Sequence, residues 1–113
     1  MVLNAGIAQG PSGAGETSKD GYEIVFATNH LGHFAMFQQL RQFLVESQGR
    51  VVTVASMVHK QARLNLDRVA VADPAASTRD LYNTSKLCNI LFSYEVHRRY
   101  NQYVSLSNSA IFS

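Results

Sequence analysis

The chain predicts an α/β fold, part of a doubly wound parallel sheet, on three observations. Short strand-like runs lie at residues 1–3, 50–55 and 103–106. Two long segments with helical spacing of apolar residues separate them. With 113 residues, 46% of them hydrophobic and 16% charged, the composition is that of one small globular domain with a modest core. Strand-helix-strand-helix-strand order favours parallel strands joined by crossover helices.

Met1, Val2 and Leu3 read as the end of the first strand, followed by a Gly/Ser-rich loop over residues 5–19. Thr17 or Asp20 is placed to cap the next helix. Across residues 21–47, Val25, Leu31, Phe34, Phe37, Leu40 and Leu44 recur mostly at three- or four-residue steps and mark one buried face. Gly49 stands where a C′ residue would close that helix. Val51, Val52, Thr53 and Val54 form a β-branched run suited to a buried parallel strand. Residues 56–80 have weak periodicity and predict an irregular loop with a turn of helix. A second long helix is expected over residues 77–100 and a third strand over 103–106.

Two right-handed crossovers that step the same way leave both helices on one face of the sheet. Parallel sheets are normally covered on both faces, so a further layer is expected from elsewhere. Along the middle strand, Val51 and Thr53 point to one face and Val52 and Val54 to the other, and one of these sets should face water. The isolated chain is therefore expected to be unstable as a monomer.

The net charge of +2 is spread thinly, with Arg98-Arg99 the sole adjacent basic pair, which argues against a nucleic-acid partner. No apolar run is long enough to span a bilayer, and Asn4 with the glycines beyond it interrupts any signal-peptide core. This predicts an intracellular, by default cytoplasmic, chain, with an anchor outside this stretch left open. Cys88 is the single cysteine, so an internal disulfide or multi-cysteine zinc site is excluded and packing on a helix is expected. His30 and His33 are three apart, but no third ligand stands at a zincin-like spacing and His59 and His97 lie in separate segments, so no metal site is predicted. Residues 10–17, Gly-Pro-Ser-Gly-Ala-Gly-Glu-Thr, have the spacing of a P-loop with Glu16 in the lysine position. A carboxylate there would repel a nucleotide's phosphates, so a flexible surface loop is the stronger expectation and a P-loop-type nucleotide binder the weaker.

Tyr82 and Lys86 stand four residues apart, one turn along a predicted helix, which puts a phenol and an ammonium on one face. A fixed cation nearby favours a phenolate, and such a pair can do general acid/base work on an alcohol or carbonyl. By itself Tyr-x-x-x-Lys occurs on many helices by chance.

Further motifs stand upstream and around the pair: Leu3-Asn4-Ala5-Gly6, Thr28-Asn29-His30-Leu31-Gly32-His33-Phe34, Arg50-Val51-Val52-Thr53-Val54-Ala55-Ser56, and Tyr82-Asn83-Thr84-Ser85-Lys86-Leu87-Cys88-Asn89-Ile90-Leu91-Phe92. In this order the chain resembles the short-chain dehydrogenase/reductase family, in its retinol-dehydrogenase-like and WW-domain-oxidoreductase-like branch. The resemblance implies a Rossmann-like fold and an oxidoreductase that moves hydride between NAD or NADP and an alcohol or carbonyl of an apolar substrate. It implies Tyr82 as the acid/base, Lys86 as the group that lowers the tyrosine pKa and binds the nicotinamide ribose, Ser56 as the holder of the substrate oxygen, and Asn29 as the holder of a water in the proton relay. Asn4, Ala5 and Gly6 match the family's turn beside the cofactor. Ala55 replaces a serine usual before Ser56.

The glycine-rich cofactor loop and the residue that selects NAD or NADP lie, in the family, upstream of Met1. Residues 107–113 replace an expected Pro-Gly turn. The resemblance thus implies that residues 1–113 are the catalytic half of such a domain, without its N-terminal cofactor-binding half and C-terminal part. A contrasting expectation is a truncated, non-catalytic interaction fragment. In the family the two long helices pack against a second subunit, which implies a homo-oligomer or binding to a full-length relative.

Overall fold

The computed structural model describes residues 1–106 and 110–112. Four strands, β1 (Val2–Leu3), β2 (Arg50–Ser56), β3 (Ser105–Leu106) and β4 (Ala110–Phe112), form a parallel sheet around β2. β1 pairs with β2 through Val2–Val52 and Leu3–Thr53. β3 pairs with Arg50 and Val51, and β4 with Val54, Ala55 and Ser56. The third strand is thus shorter than expected, because Tyr103 and Val104 both turn their amides back to the carbonyl of Tyr100. β4 has no counterpart in the sequence-based expectation, and residues 107–109 and 113 of the expected missing turn lie outside the described residues.

Side chains alternate along β2, and the register carries that alternation into β1. Val51, Thr53 and Ala55 are buried, as is Leu3 opposite Thr53. Val52 and Val54 are half-buried, and Val2 opposite Val52 is 65% exposed. The covered face packs Leu3 and Val51 against Phe37 and Leu44 of one helix, Phe92 and Val96 of the other, and Val104. At its centre the rings of Phe37 and Phe92 meet edge to face, 5.3 Å apart at 84°. Such a pair adds about 0.5–1.5 kcal/mol beyond area burial. Both helices therefore cover one face, as right-handed crossovers require.

Among the described residues, one buried side-chain polar atom has no hydrogen-bond partner, Thr53 Oγ1 on that covered face. A buried hydroxyl without a partner costs about 1–3 kcal/mol. Thr53→Val keeps the shape and removes the hydroxyl, so it is expected to raise the unfolding free energy by about 1 kcal/mol, read as a higher urea midpoint at unchanged slope.

The first long helix has three parts: α1 (Ile24–Phe26), a π turn (Ala27–Leu31) and α2 (Gly32–Glu46). Its cap is neither Thr17 nor Asp20. Residues 17–23 form a tight turn, with Ser18 N–H donating to Tyr22 O at 2.7 Å and Gly21 at φ +88°, so the backbone stays non-helical to Glu23. The Glu23 carboxylate then accepts from the amides of Val25 at 2.9 Å and Phe26 at 2.7 Å. It offers a full negative charge to the positive end of the helix. At the other end Gly49 is not the C′ residue. Gln48 occupies the left-handed region at φ +51°, with its N–H on Val45 O, and Gly49 donates to Leu44 O at 2.8 Å, which is a Schellman closure one residue earlier than expected.

The loop of residues 5–22 is folded rather than loose. Glu16 Oε2 accepts Ser12 N–H at 2.9 Å, Gly13 donates to Gly10 O, and Ile24 donates to Glu16 O. Glu16 therefore spends its carboxylate on a bond within the loop, at the position where a P-loop would need a lysine.

A 3₁₀ turn (Met57–Gln61) follows β2, and the loop beyond it is tied to the start of α1 by Glu23 N–H on Ala70 O at 2.9 Å. α3 (Thr78–Tyr100) is capped by Ser77, whose hydroxyl accepts Asp80 N–H at 3.3 Å. Asp80 in its first turn and His97, Arg98 and Arg99 in its last match the helix dipole. No helix is long and apolar enough to cross a membrane among the described residues.

Candidate functional site

The carboxyl ends of β1 and β2, the π turn and the first half of α3 converge on one group of polar side chains. A π turn carries an extra residue, and Gly32 N–H here reaches back five positions to Ala27 O. Neighbouring residues Asn29 and His30 can then both present their side chains to α3. Asn29 is 0% exposed. Its Oδ1 accepts Ile7 N–H at 2.7 Å, and its Nδ2 donates to Ile7 O at 2.9 Å and to Ser85 Oγ at 3.0 Å. Ser85 in turn donates to Tyr82 O at 2.7 Å. One amide thus fixes the chain after β1 against the tyrosine's own turn of α3.

His30 Nδ1 lies 3.1 Å from Asn89 Oδ1, while Asn89 Nδ2 donates to Val54 O at 3.2 Å. Since the Val54 carbonyl can only accept, the Asn89 amide is oriented with its oxygen toward His30, which assigns the proton to His30 Nδ1. His33 Nδ1 is likewise 3.0 Å from the Asn29 carbonyl and must donate there.

Lys86 is 5% exposed, yet among the described residues no carboxylate pairs with it; the ion pairs are Arg68–Asp73, Arg98–Glu95 and Arg99–Glu95. Its Nζ stands 5.4 Å from the centroid of the Tyr82 ring, within cation–π range. Burial pushes its pKa below the ordinary lysine value. A Cβ added to Gly6 would come within 3.3 Å of Asn29 Oδ1 and 3.5 Å of Lys86 Nζ, so the backbone passes at a distance only glycine suits comfortably.

The sequence-predicted residues therefore separate into two groups. Gly6, Asn29, Tyr82 and Lys86 come together. Asn4 and Ala5 follow β1 but are exposed, and no hydrogen bond joins the Asn4 side chain to that group among the described residues. Ser56 ends β2 and is buried; its Oγ accepts Val58 N–H at 3.4 Å and its carbonyl accepts His59 Nδ1 at 2.6 Å. No direct hydrogen bond joins Ser56 to Tyr82 among the described residues.

Ser85 and Asn89 were not singled out from the sequence, and His30 was weighed there only as a metal ligand. A polar residue on the buried stripe of α3, where Cys88, Ile90 and Phe92 are also buried, was the available signal. Burial also pushes the Cys88 thiol up to about 11, far from a reactive thiolate. A cleft of about 200 Å³ lies on a neighbouring face of α3, walled by Phe26, Val69, Leu81 and Thr84, but it is not lined by Tyr82, Lys86 or Ser56. No cluster of three or more metal-ligating side chains occurs among the described residues.

Burial holds both His30 and His33 below the ordinary imidazole pKa. For His30 the Asn89 bond opposes the shift and the nearby His33 adds to it; for His33 the Asn29 carbonyl opposes and Lys86 adds. The unfolded chain therefore binds protons first as pH falls. The stability from these neutral rings is full above about pH 6.5, the ordinary histidine value, and is lost as pH drops through the folded values. Urea unfolding at about pH 7 and pH 5 is expected to show a lower midpoint in acid. His30→Leu should flatten that difference.

A family model described as short chain dehydrogenase matches residues 1–67. The chain is 42% identical over 90 residues to the WW domain-containing oxidoreductase of Homo sapiens, covering 73% of this chain and 22% of that protein. It is 38% identical over 100 residues to retinol dehydrogenase 14 of Homo sapiens, covering 88% of this chain and 29% of that protein. The chain thus spans less than a third of the length of these curated relatives. The crystal structure of an uncharacterized protein from Mycobacterium paratuberculosis superposes with a TM-score of 0.78 at 38% identity, covering 93% of this chain and 37% of that one. With its parallel strands, one-sided crossover helices and these relatives, the chain belongs to the short chain dehydrogenase family of oxidoreductases and has its Rossmann-like α/β fold.

Proposed function

We propose that residues 1–113 supply the acid/base half of an NAD(P)-linked oxidoreductase acting on an alcohol or carbonyl of an apolar substrate such as a retinoid or steroid. The observation that carries this reading is the buried ammonium of Lys86, with no carboxylate paired to it among the described residues, beside both Gly6 and the Tyr82 ring. A nicotinamide ribose fits that setting: its hydroxyls can accept from the ammonium, and Gly6 leaves room for close approach. When bound, the nicotinamide supplies or takes the hydride.

In reduction, Tyr82 gives its phenolic proton to the substrate oxygen; in oxidation it takes the hydroxyl proton. Lys86 stabilises the phenolate formed or required in each direction. Ser56, at the carboxyl end of β2, donates its hydroxyl to the substrate oxygen and holds it toward Tyr82. Both amide hydrogens of Asn29 are already used on Ile7 and Ser85. A relay water would therefore be the donor, giving its hydrogen to an Asn29 oxygen rather than taking one from the side-chain nitrogen. No residue of this chain is assigned the choice between NAD and NADP.

The test joins residues 1–113 to the preceding and following parts of a relative such as retinol dehydrogenase 14 and titrates the joined chain by fluorescence with NADPH and with NADH, followed by turnover of retinal and of a steroid ketone. Saturable binding and substrate-dependent loss of NAD(P)H are expected of the joined chain, and neither of residues 1–113 alone. Nucleotide binding without turnover would overturn this reading and favour a second one, an interaction module. That alternative draws on exposed apolar side chains: α2 presents Met36, Leu40 and Phe43, the last 68% exposed, and α3 presents Leu91 and Tyr94, the latter also 68% exposed. An interaction module would self-associate or bind a longer relative and support no turnover.

A further inference from the structure

Three elements carry the proposed chemistry, and they are far apart in sequence. β2 ends in Ser56, the π turn carries Asn29, and α3 carries Tyr82 and Lys86. One side chain touches all three. Asn89 lies three residues beyond Lys86 and seven beyond Tyr82 on the same face of α3, and it is 1% exposed. Its Nδ2 holds Val54 O, two residues before Ser56, and its Oδ1 accepts from His30, the neighbour of Asn29.

We infer that Asn89 is a positioning residue, whose amide sets where Ser56 and Asn29 stand relative to Tyr82 and Lys86. The inference rests on the acid/base reading above for its functional meaning, but the geometry can be tested without it. Both ends of the joint are fixed by chemistry. The Val54 carbonyl can only accept and the His30 Nδ1 proton can only be given, so an amide is the group that satisfies both at once. Aspartate could take the histidine proton but would set a carboxylate against the Val54 carbonyl. Leucine would leave both partners buried and unsatisfied. The imidazole is further held by the rings of Phe26 at 5.4 Å and Phe92 at 6.1 Å, so it cannot easily swing to another partner.

A residue that merely supports the fold would, when replaced, weaken every protected amide alike. A positioning residue would loosen the site first. Two amides report the site directly: Ile7 N–H, bonded to Asn29 Oδ1, and Val58 N–H, bonded to Ser56 Oγ. The experiment is amide hydrogen exchange on the full chain, comparing wild type with Asn89→Leu and Asn89→Asp, with the α2 amides around Phe37 as the internal reference. Exchange at Ile7 and Val58 is expected to quicken by about tenfold or more relative to that reference, a local opening rather than a global one. Equal acceleration at all three places, or none at Ile7 and Val58, would overturn the inference.

The His30→Leu/Asn89→Leu double variant removes the orphaned imidazole. It should recover part of the stability lost in Asn89→Leu yet leave Ile7 and Val58 in fast exchange; restored protection at both would also overturn the inference. In parallel, kcat for carbonyl reduction should fall with KM for the nucleotide little changed. If wild-type residues 1–113, joined to the flanking parts of a relative, turn over no carbonyl, the acid/base reading fails on that ground, while the exchange pattern still decides the role of Asn89.

Discussion

In residues 1–113 joined to the flanking parts of a relative, Tyr82→Phe is expected to lower turnover of a carbonyl substrate by about 10²–10⁴-fold while nicotinamide nucleotide still binds. The substitution deletes one oxygen and leaves the ring over which the Lys86 ammonium sits, so packing and the cation–π contact survive. The effect therefore isolates the proton. Without the phenol the substrate oxygen must develop negative charge with only the Ser56 hydroxyl to meet it. Ser56→Ala should be the milder change, because it removes a hydrogen bond rather than the proton donor, but it also takes the cap from the 3₁₀ turn at Val58. The measurement is steady-state reduction followed by NAD(P)H absorbance, with nucleotide affinity taken from fluorescence titration of each variant. Retention of most activity by Tyr82→Phe would remove Tyr82 from the acid/base role.

The Tyr82/Lys86 pair on which that proposal rests was legible because its signal is local. Tyr82 and Lys86 lie one helical turn apart, and α3 falls within one residue of the expected span of residues 77–100. β2 was equally plain in Val51, Val52, Thr53 and Val54. The failures have physical causes. Thr17 and Asp20 are better caps by residue type than Glu23, but the left-handed Gly21 keeps the chain in a turn beyond both. Gln48 takes the left-handed position at the end of α2 although Gly49 is next to it, so the closure falls one residue early. β4 offers only Ala110, Ile111 and Phe112 as apolar signal, beside serines and an asparagine.

The polar joints inside the site were hidden for another reason. Asn29 reaches Ser85 across 56 residues and His30 reaches Asn89 across 59. Periodicity reports which face a residue occupies, and not which partner from a distant element it meets there. The π turn adds to this, since a regular helix would rotate Asn29 and His30 about 100° apart and leave one of them facing elsewhere.

Lys86→Met should separate function from stability in opposite directions. Methionine keeps the length and apolar stem of lysine but drops the charge. In the folded chain that ammonium is buried with no carboxylate partner among the described residues, and burial lowers its pKa. The sign follows from linkage: between the lowered folded pKa and the ordinary value near about 10.4, the unfolded state binds more protons, so stability rises as pH climbs through that window. Below that window the lysine is charged in both states, and the fold carries the cost of desolvating it. Removing the charge is expected to stabilise the chain on the order of 1 kcal/mol at pH 7 and to abolish the alkaline rise. Nucleotide affinity and turnover should both fall, turnover by about 10²-fold or more, because neither the phenolate nor the ribose retains its cation. Thermal unfolding at about pH 7 and pH 10, alongside nucleotide titration, decides the matter. A lower Tm for Lys86→Met at neutral pH would mean that the ammonium stabilises the fold, and that it is not held there, at a cost to stability, for binding and catalysis.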